Sequence, residues 1–361
     1  MSPETRSTER SANWRHVGAF LGLTFGLTWL LDLAIYLRGG LGTPGMVTVL
    51  QLQMLLPAFS AIVLGLLFFP ESPIHHARPA GRARWFYYYF LLLTIIYALG
   101  TLGVWLAPAE RTVMLVAANI PLLLAFLGLL LLVALRFAAG REAMARVWLA
   151  WGNWRHYLLF GLGFVAFYAL QATLNAYFGL GQASLAPIFA APPGLSPDTF
   201  LILAAVQSVL LAPILAIVIT FGEEYGWRGY LQSELFELGR VRGVLLVGVI
   251  WGAWHWPIIL MGFNYPGYPL LGVVLMTLYT TGLAVILGYA VLRSGSVLLS
   301  AYLHGLNNQV VAFILALGYR PFDPAFSFGI GVYGIATLAI VALLVLRDPV
   351  WRGKGSNLDP A

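Results

Sequence analysis

The sequence contains no cysteine and few charged residues. Asp, Glu, Lys and Arg together make up 9% of its 361 residues, whereas soluble domains have about 25% charged residues. The lack of cysteine excludes disulfide bonds, thiolate catalysis, and metal or iron–sulfur sites that depend on cysteine ligands. Any chemistry must therefore use Glu, His, Asp, Ser or a bound cofactor.

Long apolar runs occupy most of the chain. Hydrophobic residues account for 60% of the sequence, and the mean hydropathy is +0.84. Most runs are close to the 20 residues that a helix needs to cross a bilayer, and alternating strand patterns are missing. These features predict an all-α fold, a polytopic transmembrane helical bundle of about ten spans: Val17 to Leu37, Met46 to Phe69, Trp85 to Leu106, Val113 to Leu135, Tyr157 to Phe178, Phe200 to Thr220, Gly243 to Leu260, Leu270 to Leu292, Ser296 to Leu317 and Phe328 to Leu346.

The basic residues predict the orientation of these spans, because cytoplasmic loops are enriched in Lys and Arg. If the N-terminus is cytoplasmic, all 20 Lys and Arg fall on that side except Arg38, Arg111 and Arg320. We therefore expect both termini in the cytoplasm, in an integral multi-pass protein of the plasma (inner) membrane. Orientation also explains the net charge of +6, so no nucleic-acid partner is expected.

The chain has no hydrophilic stretch long enough for a separate soluble domain. The proline-rich loop from Ala186 to Pro197 separates an N-terminal membrane half (1–199, five helices) from a second membrane half (200–346), which a cytoplasmic tail (347–361) follows. The first apolar run is too long for a cleaved signal peptide and is expected to remain as an anchor. No internal repeat indicates a transporter built from two related halves.

The N-terminal half is sparse in ionisable groups. Asp32 is the only carboxylate well inside one of its apolar runs, so a functional role for Asp32 stays open. The other polar residues in these runs are expected to form interhelical hydrogen bonds; they are Gln51, Gln53, Asn119, Gln171 and Asn175.

Two adjacent carboxylates, Glu223 and Glu224, follow the sixth apolar run. Ionisable groups beside lipid-facing sequence are costly, which makes them candidates for a functional site. Glu224 and Arg228 are four residues apart, so on a helix they share a face and form an ion pair. Glu223 is rotated by about 100° from Glu224 on an ideal helix and is free to face a cavity. The alternative is an interfacial charged cluster that ends a span.

Two histidines lie inside later apolar runs. His255 follows Trp251 by one helical turn, and His304 has Asn308 four residues after it on the same helix face. One such histidine alone is typical of a hydrogen-bonded core residue. The presence of both in the half that carries the glutamate pair favours a functional site.

Together these groups suit the addition of water to an amide bond. A carboxylate and an imidazole can hold and deprotonate water, and an imidazole with a side-chain amide can donate hydrogen bonds to an oxyanion. Glu223, His255 and His304 could instead ligate Zn²⁺ with an open water position, although the HExxH signature of soluble zinc proteases is absent. We favour a site that requires no cofactor and keep zinc as the alternative.

The motifs resemble those of the CPBP family of intramembrane proteases, which includes CAAX prenyl proteases and bacteriocin-processing (Abi) enzymes. The resemblance rests on Glu-Glu-x-x-x-Arg from Glu223, aromatic-x-x-x-His from Trp251 and His-x-x-x-Asn from His304, and it covers Phe200 to Ala316. It implies a catalytic core within 200–346. Trp251 departs from the family pattern, because phenylalanine is commoner at that position.

The resemblance also implies roles for single residues. Glu223 would be the catalytic glutamate, His255 its partner in activating water, and His304 with Asn308 the pair that stabilises the oxyanion. Glu224 and Arg228 would support them. The family has been described both as metalloproteases and as glutamate-dependent enzymes, so the resemblance leaves the metal question open.

The predicted function is therefore an intramembrane endopeptidase that cleaves near the cytoplasmic face. Its expected partners are a peptide or protein substrate, with or without a lipid group, and membrane lipid. The alternative is a non-enzymatic membrane protein, either a proton-coupled transporter whose Glu and His relay protons or an immunity protein that binds a bacteriocin.

One geometric condition accompanies this prediction. Counting from Gly243 at 1.5 Å per residue places His255 about 18 Å into the membrane, whereas Glu223 is close to the surface. The two helices must therefore be offset, or the helix before Glu223 kinked at Pro213.

Overall fold

The computed structural model describes residues 12–69, 81–182, 193–315, 320–321 and 323–353. Four of the basic residues counted above lie outside these ranges, namely Arg6, Arg10, Arg78 and Lys354, as does most of the proline-rich loop. The orientation, the domain boundary and the cytoplasmic tail therefore stay predictions.

The described chain is helical almost throughout, which confirms the all-α fold. Apolar segments in lipid become helical because each backbone polar group must be satisfied within its own segment. The N-terminal half contains α1 (Trp14–Leu37), α2 (Met46–Leu67), α3 (Trp85–Leu106), α4 (Arg111–Ala138), α5 (Arg141–Arg146) and α6 (Trp154–Tyr177). A two-residue strand β1 (Gly181–Gln182) pairs antiparallel with β2 (Arg320–Pro321).

In the second half, most helices are shorter, and segments of π-helix and 3₁₀ turns lie between several of them. Its α-helices are α7 (Pro197–Val206), α8 (Ala212–Leu215), α9 (Ile217–Glu224), α10 (Gln232–Leu235), α11 (Arg240–Trp254), α12 (Trp256–Leu260), α13 (Pro269–Ser294), α14 (Val297–Val310) and α15 (Val332–Val345). Segments of π-helix are Gln207–Leu211, Tyr225–Leu231 and Val311–Leu315, and 3₁₀ turns are Gly40–Gly42, Phe236–Leu238 and Pro349–Arg352.

Among the described residues, 7 helical segments are long and apolar enough to cross a membrane: Trp14–Leu37, Met46–Leu67, Trp85–Leu106, Arg111–Ala138, Trp154–Tyr177, Pro197–Leu215 and Pro269–Ser294. The other three predicted spans correspond to the shorter helices α11, α14 and α15. The chain is thus a multi-pass membrane protein, while the number of ten spans stays a prediction.

Helices α2 and α13 form the centre of the bundle. In the most apolar part of each segment, 67% of residues are buried in α2 and 56% in α13, against 6% in Pro197–Leu215. One cluster of buried hydrophobic residues continues from Val17 to Trp351. A helix from the N-terminal half therefore lies in the same core as the motif helices.

Glycines allow the motif helices to approach their neighbours closely. A Cβ on Gly222 or Gly226 would overlap the α2 backbone at Met54 or Pro57. Gly248 and Gly252 of α11 are packed in the same way against the backbone of α13. Each pair has the small-xxx-small spacing that brings helices together in membranes, and these contacts set the positions of Glu223 and Trp251.

Candidate active site

The glutamate pair ends helix α9. The helical path is interrupted at Ala216, three residues after Pro213, and α9 then begins at Ile217. After Glu224 the chain continues as the π-helix Tyr225–Leu231. Such π segments occur often at functional sites because they change the direction of side chains along a helix.

Glu224 is the centre of a buried polar network. Arg228 Nη1 donates to Glu224 Oε1 at 3.0 Å, which is the ion pair that the spacing predicts, and both side chains are fully buried. His304 Nδ1 lies 2.7 Å from the same oxygen, and Ser300 Oγ donates to Oε2 at 2.5 Å. Since the carboxylate only accepts, His304 donates through Nδ1, and its Nε2 has no partner among the described residues.

Glu223 points to a different environment, as the helix argument predicts. Its Oε2 accepts a hydrogen bond from Trp251 Nε1 at 2.7 Å, and within the described chain no donor reaches Oε1. The Arg228 guanidinium lies 4.2 Å above the Trp251 ring. Trp251 therefore stands between the two glutamate environments and contacts both.

His255 is oriented by the backbone of the same tryptophan. Its Nδ1 lies 2.8 Å from Trp251 O, and because a carbonyl only accepts, Nδ1 carries the proton. In the neutral ring Nε2 is then an acceptor. Trp254 packs edge-on against the imidazole, with ring centroids 4.7 Å apart, and is itself held by a 2.8 Å bond from its Nε1 to Thr28 Oγ1.

The four predicted catalytic residues line one cavity of about 400 Å³. Glu223, His255, His304 and Asn308 reach it from α9, from the break between α11 and α12, and from α14. The geometric condition is thus met, since Glu223 and His255 share the cavity and the helix is broken after Pro213. The other lining residues are Leu50, Gln53, Met54, Trp251, Trp254, Ile258, Phe263, Asn264, Met276, Tyr279, Thr280, Leu283, Asn307, Val311, Ala312 and Ile330.

Ser300, which donates a hydrogen bond to Glu224, was not predicted from the sequence. Ser300 has a recognisable signal, because Ser300, His304 and Asn308 follow one another at four-residue intervals on one face of α14. Gln53 of α2 lines the cavity and donates to Asp32 Oδ1 at 2.6 Å. This bond between α2 and α1 confirms the interhelical hydrogen bond predicted for Gln53 and gives Asp32 a partner.

The geometry of the donor atoms bears on the zinc alternative. Glu223, His255 and His304 are suitable ligand types, but no group of three His, Asp or Glu among the described residues is close enough to hold a metal ion. Each histidine already uses Nδ1, and Glu223 uses Oε2, for a bond to the protein. A zinc-ligating histidine commonly donates through one ring nitrogen in this way and binds the metal through the other. These bonds therefore leave both Nε2 atoms available, and the choice between a metal-free and a zinc-dependent site stays a prediction.

Part of the chain is similar to a known protein family. Residues 205–310 match the family model described as "Type II CAAX prenyl endopeptidase Rce1-like". No curated protein and no solved structure matches the chain. The matched segment contains all three motifs and the residues from α9 to α14 that line the cavity. The match over residues 205–310 is consistent with the resemblance to the CPBP family.

Proposed function

We propose that the protein is an intramembrane endopeptidase in which Glu223 and His255 activate water and His304 and Asn308 stabilise the oxyanion. The observation that carries the proposal is the convergence of these four side chains on one cavity inside the matched domain. The cleavage would take place close to the cytoplasmic face, in the orientation that the basic residues predict.

The free acceptor atoms of Glu223 and His255 suit the first step. Water donates one hydrogen to Glu223 Oε1 and the other to His255 Nε2, which leaves a lone pair of its oxygen for the substrate carbonyl carbon. As the C–O bond forms, Glu223 takes the proton. When the tetrahedral intermediate collapses, the C–N bond breaks and Glu223 returns the proton to the leaving amine.

The charges of the buried groups support His304 as a hydrogen-bond donor. Glu223 and Glu224 carry two negative charges, and Arg228 supplies one positive charge. A protonated His304 makes the four groups neutral in total, which lowers the cost of burying them. His304 then donates to Glu224 through Nδ1 and presents Nε2–H to the oxyanion, beside the amide of Asn308.

The cavity walls indicate the kind of peptide that enters. Apolar side chains from α2, α12 and α13 surround the polar groups, among them Leu50, Met54, Ile258 and Met276. Such walls suit a hydrophobic segment on either side of the scissile bond. A hydrophobic or lipidated C-terminus, a leader peptide and a membrane-protein segment all meet this requirement.

The direct test is cleavage of a fluorogenic peptide library by the purified protein in liposomes. We expect Glu223→Gln to abolish turnover, because the base is lost without a change of shape. Glu237→Gln is the matched control, since Glu237 does not line the cavity and this variant should keep full activity. Unchanged turnover in Glu223→Gln would refute the proposal, and proton-dependent uptake without proteolysis would favour a transporter.

A further inference from the structure

Three buried polar side chains form a hydrogen-bonded chain behind Asn308. Tyr168 OH donates to Asn307 Oδ1 at 2.5 Å, and Tyr279 OH donates to the same atom at 3.1 Å. The two hydroxyl oxygens are 3.0 Å apart. These residues come from α6, α13 and α14, and their exposed fractions are 1% for Tyr168, 7% for Tyr279 and 4% for Asn307.

The chain determines which way the Asn307 amide points. With Oδ1 toward the tyrosines, both hydroxyls donate to the carbonyl oxygen. With the amide reversed, only one hydroxyl hydrogen would find an acceptor, the oxygen of the other tyrosine, so the network favours the amide nitrogen facing the other direction. There Asn307 Nδ2 donates to Asn308 Oδ1 at 3.3 Å. By orienting the Asn307 amide, the two tyrosines therefore also determine the orientation of the Asn308 amide.

The Asn307 amide in turn orients the Asn308 amide. Because its Oδ1 accepts from Asn307, its Nδ2 carries both amide hydrogens toward the cavity that Asn308 lines. Among the described residues, none accepts a hydrogen bond from this nitrogen. A flipped amide would instead place its oxygen toward the developing negative charge and repel it.

We propose that Tyr168, Tyr279 and Asn307 are positioning residues that hold the Asn308 amide with its N–H groups toward the oxyanion. This inference rests on the proposed function, and it adds residues outside the three motifs. Tyr168 is the most informative, because it does not line the catalytic cavity and belongs to the N-terminal half. It acts on the reaction through Asn307 and Asn308.

The test is a double-mutant cycle between Tyr168→Phe and Asn308→Ala in the full-length protein. Tyr168→Phe removes one hydroxyl and should lower kcat roughly tenfold with KM unchanged, because the oxyanion bond matters only in the transition state. In the Asn308→Ala background the same change should lower kcat less than about twofold, because the group that it positions is gone. A phosphinic peptide, whose tetrahedral oxyanion imitates the intermediate, should bind Tyr168→Phe roughly tenfold more weakly.

Tyr97→Phe is the matched control for loss of a buried hydroxyl. Tyr97 is fully buried, its OH has no hydrogen-bond partner among the described residues, and it does not line the cavity, so its variant should keep normal kcat. Equal effects of Tyr168→Phe with and without Asn308 would overturn the inference, as would unchanged affinity for the phosphinic peptide. If only this inference fails, the Glu223→Gln variant is still inactive. If the proposed function itself fails, the Glu223→Gln variant remains active.

Discussion

Trp251 donates its indole N–H to Glu223 Oε2 at 2.7 Å, a hydrogen bond that phenylalanine cannot make. The same residue accepts from His255 Nδ1 through its backbone carbonyl, and its ring packs edge-on against His304 with centroids 5.5 Å apart. One residue thus contacts three of the proposed catalytic groups, two through its side chain and one through its backbone. The departure from the usual phenylalanine therefore adds a bond to the proposed base.

Trp251→Phe should lower kcat roughly tenfold with little change in KM. The substitution keeps an aromatic ring beneath Arg228 and the carbonyl that orients His255, but it removes the donor that holds Glu223. Steady-state kinetics with a fluorogenic peptide measure this effect. Trp256→Phe is the control, because it deletes a 3.0 Å indole bond to Thr277 outside the cavity; equal losses in both variants would show that Trp251 has no special role.

The two adjacent glutamates should respond differently to one substitution. Glu224→Gln leaves the buried Arg228 charge without its partner, and breaking such a pair destabilises a protein by about 3 to 5 kcal/mol. Glu223→Gln removes a charge from the buried group but breaks no direct ion pair, so it should abolish activity and lower the Tm much less than Glu224→Gln does. Thermal unfolding in detergent with activity on the same samples measures the contrast, and equal Tm values for the two variants would contradict the structural role of Glu224.

Gly226→Ala should destabilise the protein by about 1 to 3 kcal/mol, because the added Cβ overlaps Pro57 of α2 and overpacking has costs of that size. It should also reduce turnover, since α9 and Glu223 are moved away from the cavity. Gly22→Ala is the matched helical control, as its Cβ would meet no atom within 4 Å. A normal Tm and normal kcat for Gly226→Ala would show that the close crossing with α2 is dispensable.

Chelation tests the choice between a metal-free and a zinc-dependent site. We expect turnover to be unchanged after treatment with a strong chelator, because the proposed water activation uses only Glu223 and His255. Metal content measured on the same sample must show that the treatment was complete. Loss of activity that Zn²⁺ restores would establish the zinc alternative and require Glu223, His255 and His304 to move closer together.

Part of this site was predictable because it depends on local geometry. The ion pair of Glu224 with Arg228 follows from four-residue spacing on a helix, and it survives although the segment after Glu224 is π-helical. Ser300 was predictable in principle by the same spacing from His304. The contact of Tyr168 with Asn307 was not, because it joins helices far apart in sequence and nothing nearby marks Tyr168. Gln53 was expected to bond to another helix, but only the packing of α2 against α1 identified Asp32 as its partner.

By itself, the sequence determined that the chain is a helical membrane protein, and it determined which ionisable residues lie in apolar segments. Both results depend on local properties: the hydropathy of each segment, and the need of its backbone groups to form hydrogen bonds within that segment in lipid. Only the tertiary structure decided that Glu223, His255, His304 and Asn308 share one cavity, and that Trp251 and the tyrosines orient them. These positions depend on the close approach of helices at their glycine residues and on where the helices break. Such contacts form only when segments distant in sequence pack together.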